Sequence, residues 1–180
     1  RYPEMATRSE IVDRILTDPA DRARVEAART VAKGPGLGTI GYEGRSLESY
    51  LNALLDDGTT LLCDVRRNPL SRKYGFSKKA LAAGCESVGI RYEHLPQLGI
   101  ASEQRRELDI QADYDALFDD YRENSLPNQT EAIATIASWI HHGERVALTC
   151  YERLPHQCHR HCVAEAVEQA LGGMVDLVHL

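Results

Sequence analysis

The chain has 180 residues, with 43% hydrophobic and 27% charged side chains and a net charge of −6. That is the make-up of one globular domain, large enough to close a core without disulfides or metal. No apolar run approaches the roughly 18 residues of a membrane span, so no membrane partner is expected, and the acidic balance argues against a surface that coats nucleic acid.

Residues 8–31 are charged and helix-prone, and Pro19 is expected to divide them into two short helices. KGPGLG (33–38) reads as a linker, which makes 1–33 a helical extension and 34–180 a single α/β domain. LGTIGYEG (37–44) is a short buried strand, and SLESYLNALLDDG (46–58) an amphipathic helix capped by Ser46 and closed by Gly58. TTLLCDVR (59–66) has the length of a strand, SKKALAAGCESVG (77–89) is a second helix, and IRYEHLP (90–96) alternates like a strand. Two helices, 101–123 and 128–142, are expected on either side of LPN. RVALTCYE (145–152) is a strand, CHRHCVAEAVEQALGG (158–173) a helix, and MVDLVHL (174–180) a last strand. Apolar strands alternating with helices predict an α/β three-layer sandwich around a mostly parallel, Rossmann-like sheet of about five strands.

In such a sheet, ligands bind beyond the carboxyl ends of the strands. Those ends carry Tyr42 and Glu43, Asp64 and Arg66, Glu93 and His94, Cys150 and Glu152, and the terminal His179. Four consecutive ends with ionisable or nucleophilic groups point to a functional rim. Asp64 and Arg66 are two apart and share a face of an extended strand, as do Cys150 and Glu152. Arg66 suits two-pronged recognition of a phosphate or carboxylate. From Arg66 to Lys79 there are six basic residues and no acidic ones. Tyr74 and Phe76 interleave with that stretch as they would beside a ring and its phosphate. The bland reading of the stretch is a solvated loop.

CYERLPHQCHRHC (150–162) concentrates three cysteines and three histidines. A helix beginning at Cys158 would lower its thiol pKa and offer free N–H groups to an anion, with Arg160 as a clamp. Metal binding is a further reading: Cys150 and Cys158 with His159 or Cys162 supply a ligand set, although paired CxxC or HxxxH spacing is absent. Neither Cys150 nor Cys158 opens a Cys-x5-Arg loop, which argues against cysteine phosphatase or sulfurtransferase chemistry. Cys63, Cys85 and Cys162 read as buried packing residues. His141 and His142 sit at a helix end, and His156 and His161 read as surface residues. Five cysteines of irregular spacing behind a polar N-terminus suggest reduced thiols and a cytoplasmic location.

Three ordered blocks, TIGYEGRSLESYL, LCDVRRNPLSRKYGF and CYERLPHQCHR, together resemble the domain of unknown function 488 family over about residues 37–180. The resemblance implies an α/β sandwich and a site built from Asp64, Arg66, Ser71, Cys150, Glu152, Cys158, His159 and Arg160. It implies no reaction. The acidic helical insert after His94 departs from the pattern.

The leading expectation is an enzyme for a phosphate-bearing or nucleotide-like ligand. Arg66, Arg160 and the Cys158-His159-Arg160 helix start bind the anion, and Tyr42, Ser71 and His94 complete the binding rim. Asp64 or Glu152 serves as general acid or base, and Cys150 or Cys158 as nucleophile or shaping thiol. The alternatives are a non-catalytic module for a nucleotide or nucleic-acid end, and a small metalloprotein. No dinucleotide glycine fingerprint or phosphate-loop lysine motif narrows the ligand, and the cofactor is unknown from sequence.

Overall fold

The computed structural model describes residues 3–7, 16–28, 33–105, 108–175 and 177–180. Five parallel strands, β1 (Gly36–Gly41), β2 (Leu61–Asp64), β3 (Arg91–His94), β4 (Arg145–Cys150) and β5 (Leu177–His179), stand in the order β3-β2-β4-β1-β5. The described helices are α1 (Pro3–Ala6), α2 (Pro19–Ala27), α3 (Leu47–Asp57), α4 (Lys78–Ser87), α5 (Gln111–Asp120), α6 (Thr130–His141) and α7 (Arg160–Ala170). The α/β sandwich with a parallel sheet, expected from alternating apolar strands and helices, is the observed fold.

Both sheet faces are covered, and the strand residues alternate between two cores. Leu37, Leu61, Cys63, Val65, Val146 and Leu148 face α6 and α7, packing with Ile136, Val163 and Val167. Ile40, Leu62 and Ala147 face α3 and α4, packing with Tyr50, Leu54 and Leu81. Met5 leans on this second core. Helix α3 begins as its sequence dictates: the Ser46 hydroxyl accepts from the Ser49 N–H at 3.2 Å, and Gly58 takes a left-handed φ of 78° to close it.

Pro19 starts α2, behind an Asp18 cap, as the second of the two short helices expected on either side of it; the first, expected over 8–18, falls for residues 8–15 outside the described residues. Proline fits there because its missing N–H would be unpaired at that position anyway. The stretch 101–123 is not one helix: Ser102–Arg105 is a single 3-10 turn, and α5 begins at Gln111, where Asp113 Oδ2 accepts from the Asp109 and Ile110 N–H groups at 3.0 Å each. LPN does not break the chain's helical course either. A π-turn (Tyr121–Ser125) and a 3-10 turn (Leu126–Gln129) carry α5 into α6, with Pro127 again in a first-turn position.

Candidate active site

The strand order fixes where a cleft can open. From β1 the chain crosses to β2 on one side, and from β4 it crosses to β5 on the other, so the connections diverge beyond the carboxyl ends of β1 and β4. A cavity of about 340 Å³ lies there, lined by Tyr42 after β1, by the stretch after β2 from Arg66 to Arg72 except Pro69, and by Cys150, Tyr151 and Glu152 at the end of β4, with Ile100, Arg105 and His159 closing it. Two glycines allow the backbones to meet around it. A Cβ on Gly41 would collide with the Glu152 carbonyl, and one on Gly99 with the Arg67 N–H.

On the β2 side, Asp64 and Arg66 form a buried ion pair. Arg66 Nε donates to Asp64 Oδ1 at 2.8 Å and Nη2 donates to Oδ2 at 2.5 Å. Asp64 also accepts from the Arg66 N–H at 3.1 Å and from Tyr92 Oη at 2.7 Å. Arg66 Nη1 donates to Tyr42 Oη and the Phe76 carbonyl. Burial opposes the Arg66 charge, but the hydrogen bonds and field of Asp64 outweigh it and raise the pKa. Burial, followed by the neighbouring Asp64 carboxylate, also raises the Tyr92 phenol. With this many donors on it, Asp64 is a fixed anchor that does not line the cavity; Arg66 does. Tyr42 stacks on Phe76 at 4.5 Å and meets Tyr151 edge-on, while Ser71 Oγ accepts from the Lys73 N–H on the cavity wall. His94 lies outside that wall, held between the Arg66 carbonyl (Nε2, 2.9 Å) and Lys78 Nζ (Nδ1, 3.0 Å).

On the β4 side, Cys150, Cys158 and His159 bring their ligand atoms within 4.8 Å of one another, all buried. His159 Nε2 lies 3.1 Å from the Val65 carbonyl, which can only accept, so Nε2 donates there, and Nδ1 faces Cys150 Sγ at 3.9 Å. Tyr121 packs edge-on against the imidazole. Cys150 Sγ is 3.4 Å from Glu152 Oε2, close enough for one proton to lie between sulfur and carboxylate. Glu152 also forms an ion pair with Arg105. The Cys158 thiol hydrogen-bonding to it, with His159 and Arg105 nearby, pulls the Cys150 pKa down against the cost of burial. Burial and the same partner push Cys158 up.

The helix start differs from the sequence reading. Pro155–Gln157 form a short turn, Cys158 is extended, and α7 begins at Arg160 with His159 in the cap position. Arg160 does not line the cavity. It is 1% exposed, donates from Nη1 to the Glu152 carbonyl at 2.5 Å and from Nη2 to the Arg153 carbonyl at 3.0 Å, and its Nε has no partner among the described residues. The role of anion clamp expected for it passes to a loop-fastening one, since the guanidinium is directed at backbone oxygens. His161, expected at the surface, is partly buried: Nδ1 donates to the Cys158 carbonyl at 2.7 Å, Nε2 accepts from Arg122 at 2.8 Å, and the ring packs edge-on to Phe118. Cys63, Cys85 and Cys162 are buried in the cores, and burial pushes the Cys85 and Cys162 thiols up to about 12.

Arg105 and the Val65 carbonyl had no distinguishing sequence signal. Arg105 sits in an acid-rich stretch and reaches the site only through tertiary packing; a carbonyl is invisible in a sequence. A search of the curated proteins finds no match, and neither does a search of the solved structures. The family described as Domain of unknown function DUF488 matches residues 46–167, more than half of the chain and all of the cavity's β2 and β4 walls, and the protein belongs to that family.

Proposed function

We propose that the protein is an enzyme that binds a phosphate-bearing, nucleotide-like ligand in this cleft and carries out its chemistry where Cys150, Glu152 and His159 meet. The observation that carries the reading is the shared cavity: Arg66, Arg67, Arg72 and Arg105 line the same 340 Å³ space as Cys150, Glu152 and His159. Arg67 and Arg72 are exposed and direct their charge to an incoming anion, while Arg66 is held rigid by Asp64. Tyr42 and Tyr151 offer ring faces, and Ser71 a hydroxyl. Glu152, beside the sulfur, is the general acid or base.

Calorimetric titration with inorganic phosphate, phosphate monoesters and nucleoside monophosphates tests the reading. Arg67→Ala/Arg72→Ala is expected to weaken binding at least tenfold, and unchanged affinity sinks the cleft assignment. Glu152→Gln is expected to keep binding and lose turnover of a bound ester. Turnover unchanged in that variant would remove Glu152 from the chemistry, and a wild-type protein that binds esters without turning them over would be a non-catalytic binding module instead.

A further inference from the structure

We propose that Cys150, Cys158 and His159 form a binding site for one borderline-soft divalent ion, zinc foremost, with two sulfurs and His159 Nδ1 as ligands and a fourth position open to the cleft. Only that open position rests on the cleft reading above; the ligand set stands without it.

The geometry is close to formed. A tetrahedral zinc with sulfur at about 2.3 Å and nitrogen at about 2.0 Å puts ligand atoms roughly 3.5–3.8 Å apart. Here all three fall within 4.8 Å, and the Cys150 Sγ to His159 Nδ1 separation is 3.9 Å. Movements of a few tenths of an ångström close that pair around an ion. The imidazole is already oriented for the task. Its Nε2–H is committed to the Val65 carbonyl at 3.1 Å, which leaves Nδ1, facing the sulfur, as the nitrogen that can ligate an ion once it has released any proton. A carbonyl on the far nitrogen is the usual support of a metal-bound histidine.

The three ligands come from rigid places: the last residue of central strand β4, and two residues locked between the Pro155–Gln157 turn and α7. Arg160 pins the intervening loop through the Glu152 and Arg153 carbonyls. Charge also fits. Two thiolates and a neutral imidazole around a divalent ion sum to zero, which suits ligands that are each at most 2% exposed. Of the three, Cys150 and His159 line the cavity and Cys158 does not, so the proposal places the open fourth corner on the cleft side. Glu152 stands beside that corner, tied to Arg105. Three protein ligands and one open position are the pattern of a catalytic zinc rather than a structural one. With the ion bound, Cys150 is a ligand, and a water at the fourth position is the group that Glu152 serves.

The test uses the full chain, stripped with chelator under reducing conditions and titrated with zinc, then with cobalt as a spectroscopic probe. The expected result is one equivalent of zinc by elemental analysis, and for cobalt the intense visible bands of tetrahedral geometry with thiolate-to-cobalt charge transfer. Cys158→Ser and His159→Gln are expected to lose at least tenfold in zinc affinity, and Cys162→Ser to keep it. Wild-type protein that shows no thiolate charge-transfer band overturns the proposal even if the variants fail to fold. So does equal metal affinity in a folded Cys158→Ser. Phosphate-ester binding is measured in parallel on the metal-free protein. Ester binding without metal uptake removes the metal site alone, and metal uptake without ester binding removes the cleft reading alone.

Discussion

Replacing Asp64 by Ala leaves the Arg66 guanidinium where it is, 5% exposed, without its counter-charge. The substitution removes the acceptors for Arg66 Nε, Arg66 Nη2, the Arg66 N–H and Tyr92 Oη together. Truncating one partner of a buried pair costs about 3–5 kcal/mol, because the remaining charge is left in a medium that solvates it poorly. At about 2–4 °C per kcal/mol for a chain of this size, the melting temperature should fall by roughly 6–20 °C. Urea unfolding followed by circular dichroism reads this directly as a lower midpoint at unchanged slope. The double variant Asp64→Ala/Arg66→Met, which removes both charges and restores apolar volume, should recover most of the loss. An Asp64→Ala protein within about 1 kcal/mol of wild type would refute the reasoning. The carboxylate would then be free for proton transfer, the role first expected for it.

Three further outcomes follow from the same contacts. Arg160→Ala removes both donors to the Glu152 and Arg153 carbonyls and should cost about 2–4 kcal/mol in urea unfolding, since hydrogen bonds from a charged group contribute about 1.5–3 kcal/mol each and overlap in effect. Gly41→Ala drives a Cβ into the Glu152 carbonyl and should displace the end of β4, read as faster backbone hydrogen exchange at 150–153. His179 is held below its usual 6.5, chiefly by burial and then by Arg160. The unfolded chain therefore takes up the proton first, and stability should fall as pH drops below about 6.5. That slope should be reduced in His179→Gln, and an unchanged slope would rule out His179 as its source.

The architecture was legible because strand and helix periods differ and the three inner strands, β1, β2 and β4, are buried on both faces. LLCD and VALTC are apolar on both faces over most of their length, which a covered parallel sheet accommodates. The carboxyl-end rule brought Tyr42, Arg66, Cys150 and Glu152 to one cavity from residues far apart in sequence. What failed to show was direction within that rim. Asp64, Arg66 and His94 are residue types suited to a ligand site, yet the first is saturated by its neighbours and the last holds a carbonyl. Arg160 reads as a phosphate clamp from its place at a helix start, but its length takes the guanidinium past the cleft to backbone oxygens. The insert after His94 was misread where local capping by Asp113 set the start of α5 against a uniformly helical composition.

The position of β4 also bears on how the chain comes to be folded. Its partners β1 and β2 have no contact register with each other; both pair with Arg145–Cys150, a segment encoded some eighty residues or more downstream. A nascent chain emerging from the ribosome therefore holds two apolar strands with unfilled edges until the central one arrives. The first four-fifths of the sequence has local helices but lacks the middle of its sheet, and long-range closure of this kind is slow. A fragment ending before Arg145 should therefore aggregate rather than fold.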